Sequence, residues 1–337
     1  MQMNNFLIKR ALLGVSLCLS LSWLAAPLQA AETATTASSA ELSVMTGREA
    51  GVYYQLGRDL KKLASGHQLD LSVIPSSGSL ENIFKVYEYP SLQLGFSQFD
   101  SLSLVALEAA VGEGEGEDAD ELQKLTNSLK LVLPLYYEEV HVLAKSPEIK
   151  QFTDLNGKRV AVGEMVSGTY GTATIMLDLF QVEPAEQFEM DAATALDALQ
   201  QGEIDALIYV VGAPAPLFSG PLASTDALHL VSIAVPEDLA KNELFQTFYR
   251  TATIPAATYS WQAQEVATVA VGAVLFTSDQ GLSEESCQAV GRFAKMVYDN
   301  LGELSRIGHP KWKSVSIDRE ALLKAPHLSP CVARALK

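Results

Sequence analysis

Three short polar turns carry the residues of this sequence that could bind a small molecule. Each lies between a short strand-like run and a helix-like segment: TGREAGVYY at 46–54, SSGS at 76–79 and SGT at 167–169. In open parallel sheets, ligands sit beyond the carboxyl ends of strands, where free backbone N–H groups and the helix dipole favour anions. The recurrence of the pattern predicts a carboxylate pocket, whereas ordinary helix capping would explain any single turn.

The candidate ligand-binding residues are those that allow close approach of a carboxylate or donate a hydrogen bond to it. Gly168 lets the backbone come close to a ligand, and the hydroxyls of Ser167 and Thr169 can cap the helix or bond a carboxylate. Arg48 could clamp a carboxylate in bidentate fashion or lie on the surface. Glu164 could meet an ammonium group of the ligand or lie in solvent. The full candidate set is Arg48, Gly51, Tyr53, Ser77, Gly78, Ser79, Gln98, Ser167, Gly168 and Thr169.

No catalytic motif accompanies these turns. The chain has no G-x-S-x-G elbow, no H-E-x-x-H and no Walker loop, and its five histidines are scattered. Neither Cys287 nor Cys331 has a metal-ligating neighbour at useful spacing. The sequence therefore predicts a binding protein without a metal or a cofactor, and not an enzyme.

The elements that must position the turns alternate between strands and helices. Three strand–turn–helix units follow one another from residue 41 to 111, and a second series runs from 152 to 212. This rhythm predicts an α/β fold with mostly parallel sheets flanked by helices. Two long apolar β runs, LKLVLPLYY at 129–137 and EVATVAVGAVLFTS at 265–278, would connect the two series.

Charge and composition exclude several classes of partner. Lys+Arg 24 against Asp+Glu 40 gives a net charge of −16, which argues against nucleic acid or anionic lipid. The acidic stretch GEGEGEDADE at 112–121 predicts a solvated loop, because alternating Gly and Glu bury nothing and repel one another. It lacks the EF-hand spacing that calcium binding would need.

The beginning of the chain predicts export. Lys9 and Arg10 precede an apolar run at 11–27, and small residues follow near Ala30. This pattern is typical of a cleaved signal peptide, here 1–30, and indicates a periplasmic protein. Residues 31–41 would form a flexible leader. Since Cys18 would leave with the signal peptide, Cys287 and Cys331 remain, either as a disulfide or as two buried thiols.

The order of several segments resembles the TAXI family, the extracytoplasmic solute receptors of TRAP-type transporters. The segments are TGREAGVYYQLGRDL, LGFSQFDSL, FTDLNGKRVAVGEMVSGTYGTA, GEIDALIYVVGAP and AVLFTSDQGLSEE. The resemblance implies a two-lobed periplasmic binding protein of type II-like fold, with β-strand hinges. Residues 42–135 and 273–337 would form lobe 1 and a C-terminal tail, and 136–272 would form lobe 2.

The same resemblance implies a function. The protein would be a monomer that captures a small organic anion, a dicarboxylate or an acidic amino acid such as glutamate or 2-oxoglutarate. It would deliver that solute to the membrane subunits of a TRAP transporter. A ligand-sensing subunit of a signalling system, and an enzyme on the same scaffold, are the alternatives. The chain departs from the family pattern at 48–50 and at Val166, and both places touch the expected cleft.

Overall fold

The computed structural model describes residues 41–111, 117–219 and 228–337. The predicted signal peptide, residues 31–40 of the predicted leader and the first half of the 112–121 stretch lie outside these ranges. Within the described ranges, no helix combines the length and the apolar character that a membrane crossing requires.

Strands and helices alternate along most of the chain. The strands are β1 Glu41–Met45, β2 Asp70–Ile74, β3 Leu94–Gln98, β4 Leu129–Ala144, β5 Arg159–Ala161, β6 Glu186–Phe188, β7 Ala206–Val211, β8 His229–Leu230, β9 Tyr249–Ile254 and β10 Val266–Ser278. The α-helices are α1 Val52–Ser65, α2 Ser79–Glu88, α3 Phe99–Val111, α4 Glu117–Ser128, α5 Gly168–Leu179, α6 Ala192–Gln201, α7 Pro216–Ser219, α8 Glu243–Phe248, α9 Glu284–Asp299, α10 Leu301–Ile307, α11 Arg319–Leu323 and α12 Pro330–Leu336. Short 3₁₀ turns lie at Phe152–Leu155, Leu239–Lys241 and Pro310–Ser314.

The strands form one mixed sheet with two parallel parts. Its order is β2-β1-β3-β10-β4-β7-β5-β6. β1 pairs in parallel with β2 and β3, and we call these three strands, together with α1–α3, lobe 1. β5 pairs in parallel with β6 and β7, and we call these three strands, together with α5 and α6, lobe 2. The predicted two-lobed α/β fold is confirmed.

Two long antiparallel strands connect the lobes. β10 pairs with β3 over 273–276 and with β4 over 270–278, whereas β4 pairs with β7 over 139–144. The ladder between β4 and β10 shifts register between Gly272 and Val274. The chain therefore passes from one parallel part of the sheet to the other within two continuous strands. The lobe boundaries at 135/136 and 272/273 stay a prediction.

Amphipathic helices cover the sheet, as the apolar spacing predicts. Apolar residues spaced along one face of α1 and of α9 are buried, and they are Leu56, Leu60, Leu63, Val290, Phe293, Ala294 and Val297. Burying one such leucine, valine or phenylalanine side chain contributes about 1.5–3 kcal/mol relative to leaving it exposed. These helices are thereby fixed against the strands whose carboxyl ends carry the polar turns.

The acidic stretch at 112–121 is not a loop throughout, so the sequence prediction is wrong for its second half. α4 begins at Glu117. Within α4, Leu125 is buried and Tyr87 Oη donates to Glu121 Oε1 at 2.7 Å. Acidic residues are favoured in the first turn of a helix because they complement its dipole. Packing of the helix against lobe 1 therefore outweighs the local repulsion between the acidic side chains.

Cys287 of α9 and Cys331 of α12 are joined by a disulfide, with their Cα atoms 5.2 Å apart. The two helices lie close together at this point. A Cβ on Gly291 would lie 2.6 Å from the carbonyl oxygen of Cys331, so only glycine permits this approach. The disulfide closes a 44-residue separation and attaches the C-terminal helix to the body of the protein.

Candidate ligand-binding site

One cavity of about 140 Å³ lies between the two lobes. All ten residues predicted to bind a ligand line it, although ligand binding itself stays a prediction. Lobe 1 contributes the turns before α1 and α2 and the end of β3. Lobe 2 contributes the turn before α5, the start of α6 and one side of β7. The structure therefore brings together turns that are about 120 residues apart in the chain.

Four helix N-termini meet at this cavity. α1 and α2 begin after Gly51 and Gly78, neither of which supplies a side-chain cap. α5 begins after Ser167, and α6 after Asp191. The first backbone N–H groups of a helix lack partners within the helix, and they carry partial positive charge. The cavity is thus suited to a negatively charged group, most of all beside the helices that no carboxylate caps.

The turns before α2 and α5 face each other closely, and both need glycine. Gly78 has φ 129° and ψ −151°, a conformation that only glycine adopts readily. A Cβ on Gly168 would overlap Oε1 of Gln98 and lie 2.5 Å from Oγ of Ser79. Gly168 was predicted to let a ligand come close to the backbone. In the structure, Gln98 and Ser79 of the other lobe are the groups that come close to it.

Most of the predicted hydroxyl and amide donors already bond within the protein. Ser167 Oγ accepts from the backbone N–H of Tyr170 at 3.2 Å, so it caps α5. Thr169 Oγ1 accepts from Val210 N at 3.1 Å. Ser79 Oγ accepts from Gln98 N at 3.0 Å. These groups shape the wall and anchor the turns, in addition to any bond with a ligand.

The lobes are in the closed conformation. The backbone N–H of Glu81 in lobe 1 donates to the carbonyl of Val166 in lobe 2 at 3.0 Å. The buried carboxylate of Asp100, at the start of α3, accepts from Thr172 Oγ1 at 2.6 Å and from Tyr249 Oη at 2.9 Å. Because a buried carboxylate needs such donors, Asp100 holds α3 to α5 and β9.

Arg48 lies at the mouth of the cavity, where it pairs across the cleft. Its Nη2 lies 2.5 Å from Oε1 of Glu164, and 51% of its side chain is exposed. Hydrogen bonding to Glu164 raises the pKa of Arg48. A half-exposed pair of this kind contributes about 0–1 kcal/mol. Arg48 is therefore placed to close the cleft, and its positive charge is already paired with the carboxylate of Glu164.

Glu138 is a wall residue that sequence reasoning missed. It is only 3% exposed, and its Oε2 accepts from Tyr53 Oη at 3.0 Å and from Gln98 Nε2 at 2.8 Å. Its Oε1 accepts from Tyr136 Oη at 3.0 Å. Burial raises the pKa of this carboxyl to about 7, against the opposing effect of the three donors. A carboxylate inside an apolar strand pattern was the signal that could have found it.

Asp191 and Tyr209 also line the cavity without having been predicted. Asp191 Oδ1 accepts from the backbone N–H groups of Ala193 and Thr194, so it caps α6. Tyr209 lies on β7, and burial raises its pKa to about 12. Among the described wall residues, Arg48 is thus the one cationic side chain beside three carboxylates, Glu138, Glu164 and Asp191. The described parts of the chain contain no group of three His, Cys, Asp or Glu side chains arranged to hold a metal ion.

A family model matches nearly the whole described chain. The model of the NMT1-like family covers residues 44–337, which include every residue that lines the cavity. The chain belongs to the NMT1-like family.

Three solved structures are similar to this NMT1-like protein at low identity. The GluR0 ligand-binding core from Nostoc punctiforme, in complex with (L)-glutamate, is 14% identical, covers 79% of this chain and 98% of that chain, and has a TM-score of 0.44. The periplasmic aliphatic sulphonate binding protein SsuA from Escherichia coli is 14% identical, covers 88% of this chain and 82% of that chain, and has a TM-score of 0.41. The substrate binding protein of an amino acid ABC transporter is 12% identical, with 79% and 96% covered and a TM-score of 0.42. The ligands in these names belong to those proteins.

The buried carboxyl of Glu138 predicts a pH dependence of stability for the NMT1-like protein. Since burial raises its folded pKa to about 7 from 4.5, the folded chain keeps a proton that the unfolded chain loses between these values. The free energy of unfolding should therefore fall as pH rises through this window, by at most about 1.4 kcal/mol per pH unit, and this contribution should level off above pH 7. Urea unfolding of the wild type and Glu138→Gln across the window measures this contribution. Parallel pH profiles for the two proteins would contradict it.

Proposed function

We propose that this NMT1-like protein is a periplasmic receptor that encloses a small carboxylate solute between its two lobes. The observation that carries the proposal is the cavity between the lobes, on which four helix N-termini converge. Backbone N–H groups at such termini stabilise a carboxylate without needing a cationic side chain. α1 and α2 belong to lobe 1, and α5 and α6 belong to lobe 2, so one carboxylate that contacts the cavity wall of both lobes would favour the closed form.

The size of the cavity supports a small solute. Its volume is about 140 Å³, and an apolar cavity of about 150 Å³ accommodates benzene. An acid of a few carbon atoms therefore fits better than a sugar acid or a peptide. The seven polar residues among the ten candidates would fix its orientation.

The resemblance to TAXI receptors supports the finer parts of the proposal. In this reading, residues 42–135 and 273–337 form lobe 1 with the C-terminal tail, and 136–272 form lobe 2. β4 and β10 act as the hinge, since few-residue crossings between lobes absorb such motions. The loaded, closed receptor then delivers its solute to the membrane subunits of a TRAP-type transporter.

Native mass spectrometry of protein purified from its own periplasm, without added ligand, tests the binding function. We expect a bound mass of a small carboxylic acid or amino acid. Calorimetry on protein that has been unfolded, dialysed and refolded should then show saturable one-to-one binding of that compound. A protein that neither retains nor binds any carboxylate would contradict the proposal.

Uptake measurements test the delivery step separately. Deletion of the gene should abolish uptake of the radiolabelled solute, and a plasmid copy should restore it. Normal uptake in the deletion strain, together with tight binding in vitro, would instead favour the ligand-sensing alternative. Conversion of the bound solute into a product would favour the enzyme.

A further inference from the structure

Two adjacent carboxylates lie on the central strand β4, and only one of them forms an ion pair within the described part of the chain. Glu138 and Glu139 are neighbours in a strand, so their side chains point to opposite faces of the sheet. On one face, Lys311 Nζ lies 2.7 Å from Oε1 and 2.8 Å from Oε2 of Glu139, and the backbone N–H of Ala213 donates to Oε2 at 2.7 Å. The charge of Glu139 is therefore balanced within the protein by a buried lysine.

Glu138 faces the cavity and has no such partner. Its three hydrogen-bond donors, Tyr53, Tyr136 and Gln98, are all uncharged. In the described part of the chain, no lysine, arginine or histidine makes an ion pair with it. All three neighbours can act as donors, which is the arrangement that an ionised carboxylate accepts. Burial raises the pKa of Glu138 and outweighs the lowering by Lys311, which is bonded to Glu139 and does not contact Glu138, so no cation among the described wall residues balances this carboxyl by direct contact.

The other charges of the cavity wall also favour a ligand with a cationic group. Of the four charged side chains among the described wall residues, three are carboxylates, and the guanidinium of Arg48 is already paired with Glu164. A dicarboxylate would bring further negative charge close to Glu138. A solute with one carboxylate and one ammonium group would place its anionic end at the helix N-termini and its cationic end at the acceptor.

We infer that the solute carries a cationic nitrogen beside its carboxylate, as an amino acid does, and that Glu138 accepts a hydrogen bond from this nitrogen. This inference rests on the proposed carboxylate-binding function and narrows its ligand class. Glu138 then sets specificity, because an acid of the same carbon chain without the nitrogen would leave the Glu138 carboxylate buried and uncompensated. The 2-oxo acids and unsubstituted dicarboxylic acids should bind poorly for that reason.

Calorimetry with matched probes tests the inference. The probes are L-amino acids, the 2-oxo acids of the same carbon chains, and the unsubstituted acids, for example L-glutamate, 2-oxoglutarate and glutarate. At pH 8, where Glu138 with its pKa of about 7 is mostly ionised, the wild type should bind the best amino acid about tenfold more tightly than its 2-oxo acid, because without the ammonium group the carboxyl must take up a proton or stay buried as an unpaired ion. Glu138→Gln, which is isosteric and uncharged, should lose this preference, whereas Glu148→Gln, at an exposed position outside the cavity wall, should keep it.

The outcomes separate this inference from the proposed function. Equal binding of the amino acid and its 2-oxo acid by the wild type would overturn the inference and leave the carboxylate receptor intact. A preference for the amino acid that survives in Glu138→Gln would overturn the assignment of Glu138. Binding of a diamine such as putrescine, with no carboxylate bound, would overturn the proposed function but support the cationic ligand if Glu138→Gln weakens it. Because the wild-type comparison needs no variant, the test holds even if Glu138→Gln folds poorly.

Discussion

Gly168→Ala is expected to weaken solute binding by about fivefold to a hundredfold while leaving lobe 2 folded. The added Cβ would overlap Gln98 Oε1 and lie 2.5 Å from Ser79 Oγ in the closed conformation. Overpacking of this kind typically costs about 1–3 kcal/mol, and each 1.4 kcal/mol is tenfold in affinity. The cost falls on the closed form alone, since these contacts join different lobes. The apparent affinity falls with the population of that form.

The groups that Gly168 meets cannot easily move away. Gln98 donates to Glu138 at 2.8 Å, and its backbone N–H is held by Ser79 Oγ at 3.0 Å. On the other side, the start of α5 is fixed by the bond between Thr169 Oγ1 and Val210 N. Relief of the overlap therefore requires the lobes to separate. Alanine itself is favourable in a helix, so lobe 2 should not unfold.

Gly171→Ala is the matched control for this prediction. Gly171 lies in the same helix and faces the same interface, but a Cβ there would come no closer than 3.5 Å to Ser101 Oγ. We expect it to bind like the wild type. Calorimetry and small-angle scattering with the co-purified solute give affinity and radius of gyration. Normal binding by Gly168→Ala, or no compaction of the wild type on binding, would refute the assignment of this cleft.

Removal of the disulfide is expected to lower the free energy of unfolding by about 4 kcal/mol. In the chain-entropy model, a cross-link over the 44-residue separation of Cys287 and Cys331 contributes about that amount, by restricting the unfolded chain. Replacing either cysteine removes the same cross-link from the chain. Cys287→Ala, Cys331→Ala and the double variant should therefore be almost equally destabilised in urea unfolding.

Additive losses in the two single variants would show that packing, and not the cross-link, is responsible. Thiol labelling provides an independent check, because the chain has three cysteines and Cys18 lies in the predicted signal peptide. Denatured, unreduced periplasmic protein should show no free thiol, and two thiols after reduction. Two reactive thiols before reduction would mean that the bond is absent in the cell.

The wall of the site was largely predictable from the sequence because its residues lie in turns of one kind. A short strand, a small polar turn and an amphipathic helix can be recognised locally, and the carboxyl ends of parallel strands necessarily share an edge. SSGS and SGT therefore had to face ligand-accessible space in each lobe. Arg48 and Gln98 were predicted by the same reasoning, and all of these residues line the cavity.

The partners of those residues were not predictable. Periodicity indicates which side of an element is buried, but not what lies opposite to it. Tyr53 and Glu138 are 85 residues apart, and Lys311 and Glu139 are 172 residues apart. No local pattern shows that Arg48 meets Glu164, or that Gln98 spans from Glu138 to Thr172.

The sequence alone thus determined the alternation of strands and helices, the polar turns at the sheet edge and the pair of cysteines available for a disulfide. These follow from short-range properties: backbone propensity, the spacing of apolar residues and composition. Only the tertiary structure decided that Glu139 is neutralised by Lys311 while Glu138 faces the cavity, and that Gly168 is packed against the opposite lobe. The physical reason is that charge compensation and close packing depend on distances between side chains remote in the chain, which only the folded arrangement of both lobes fixes.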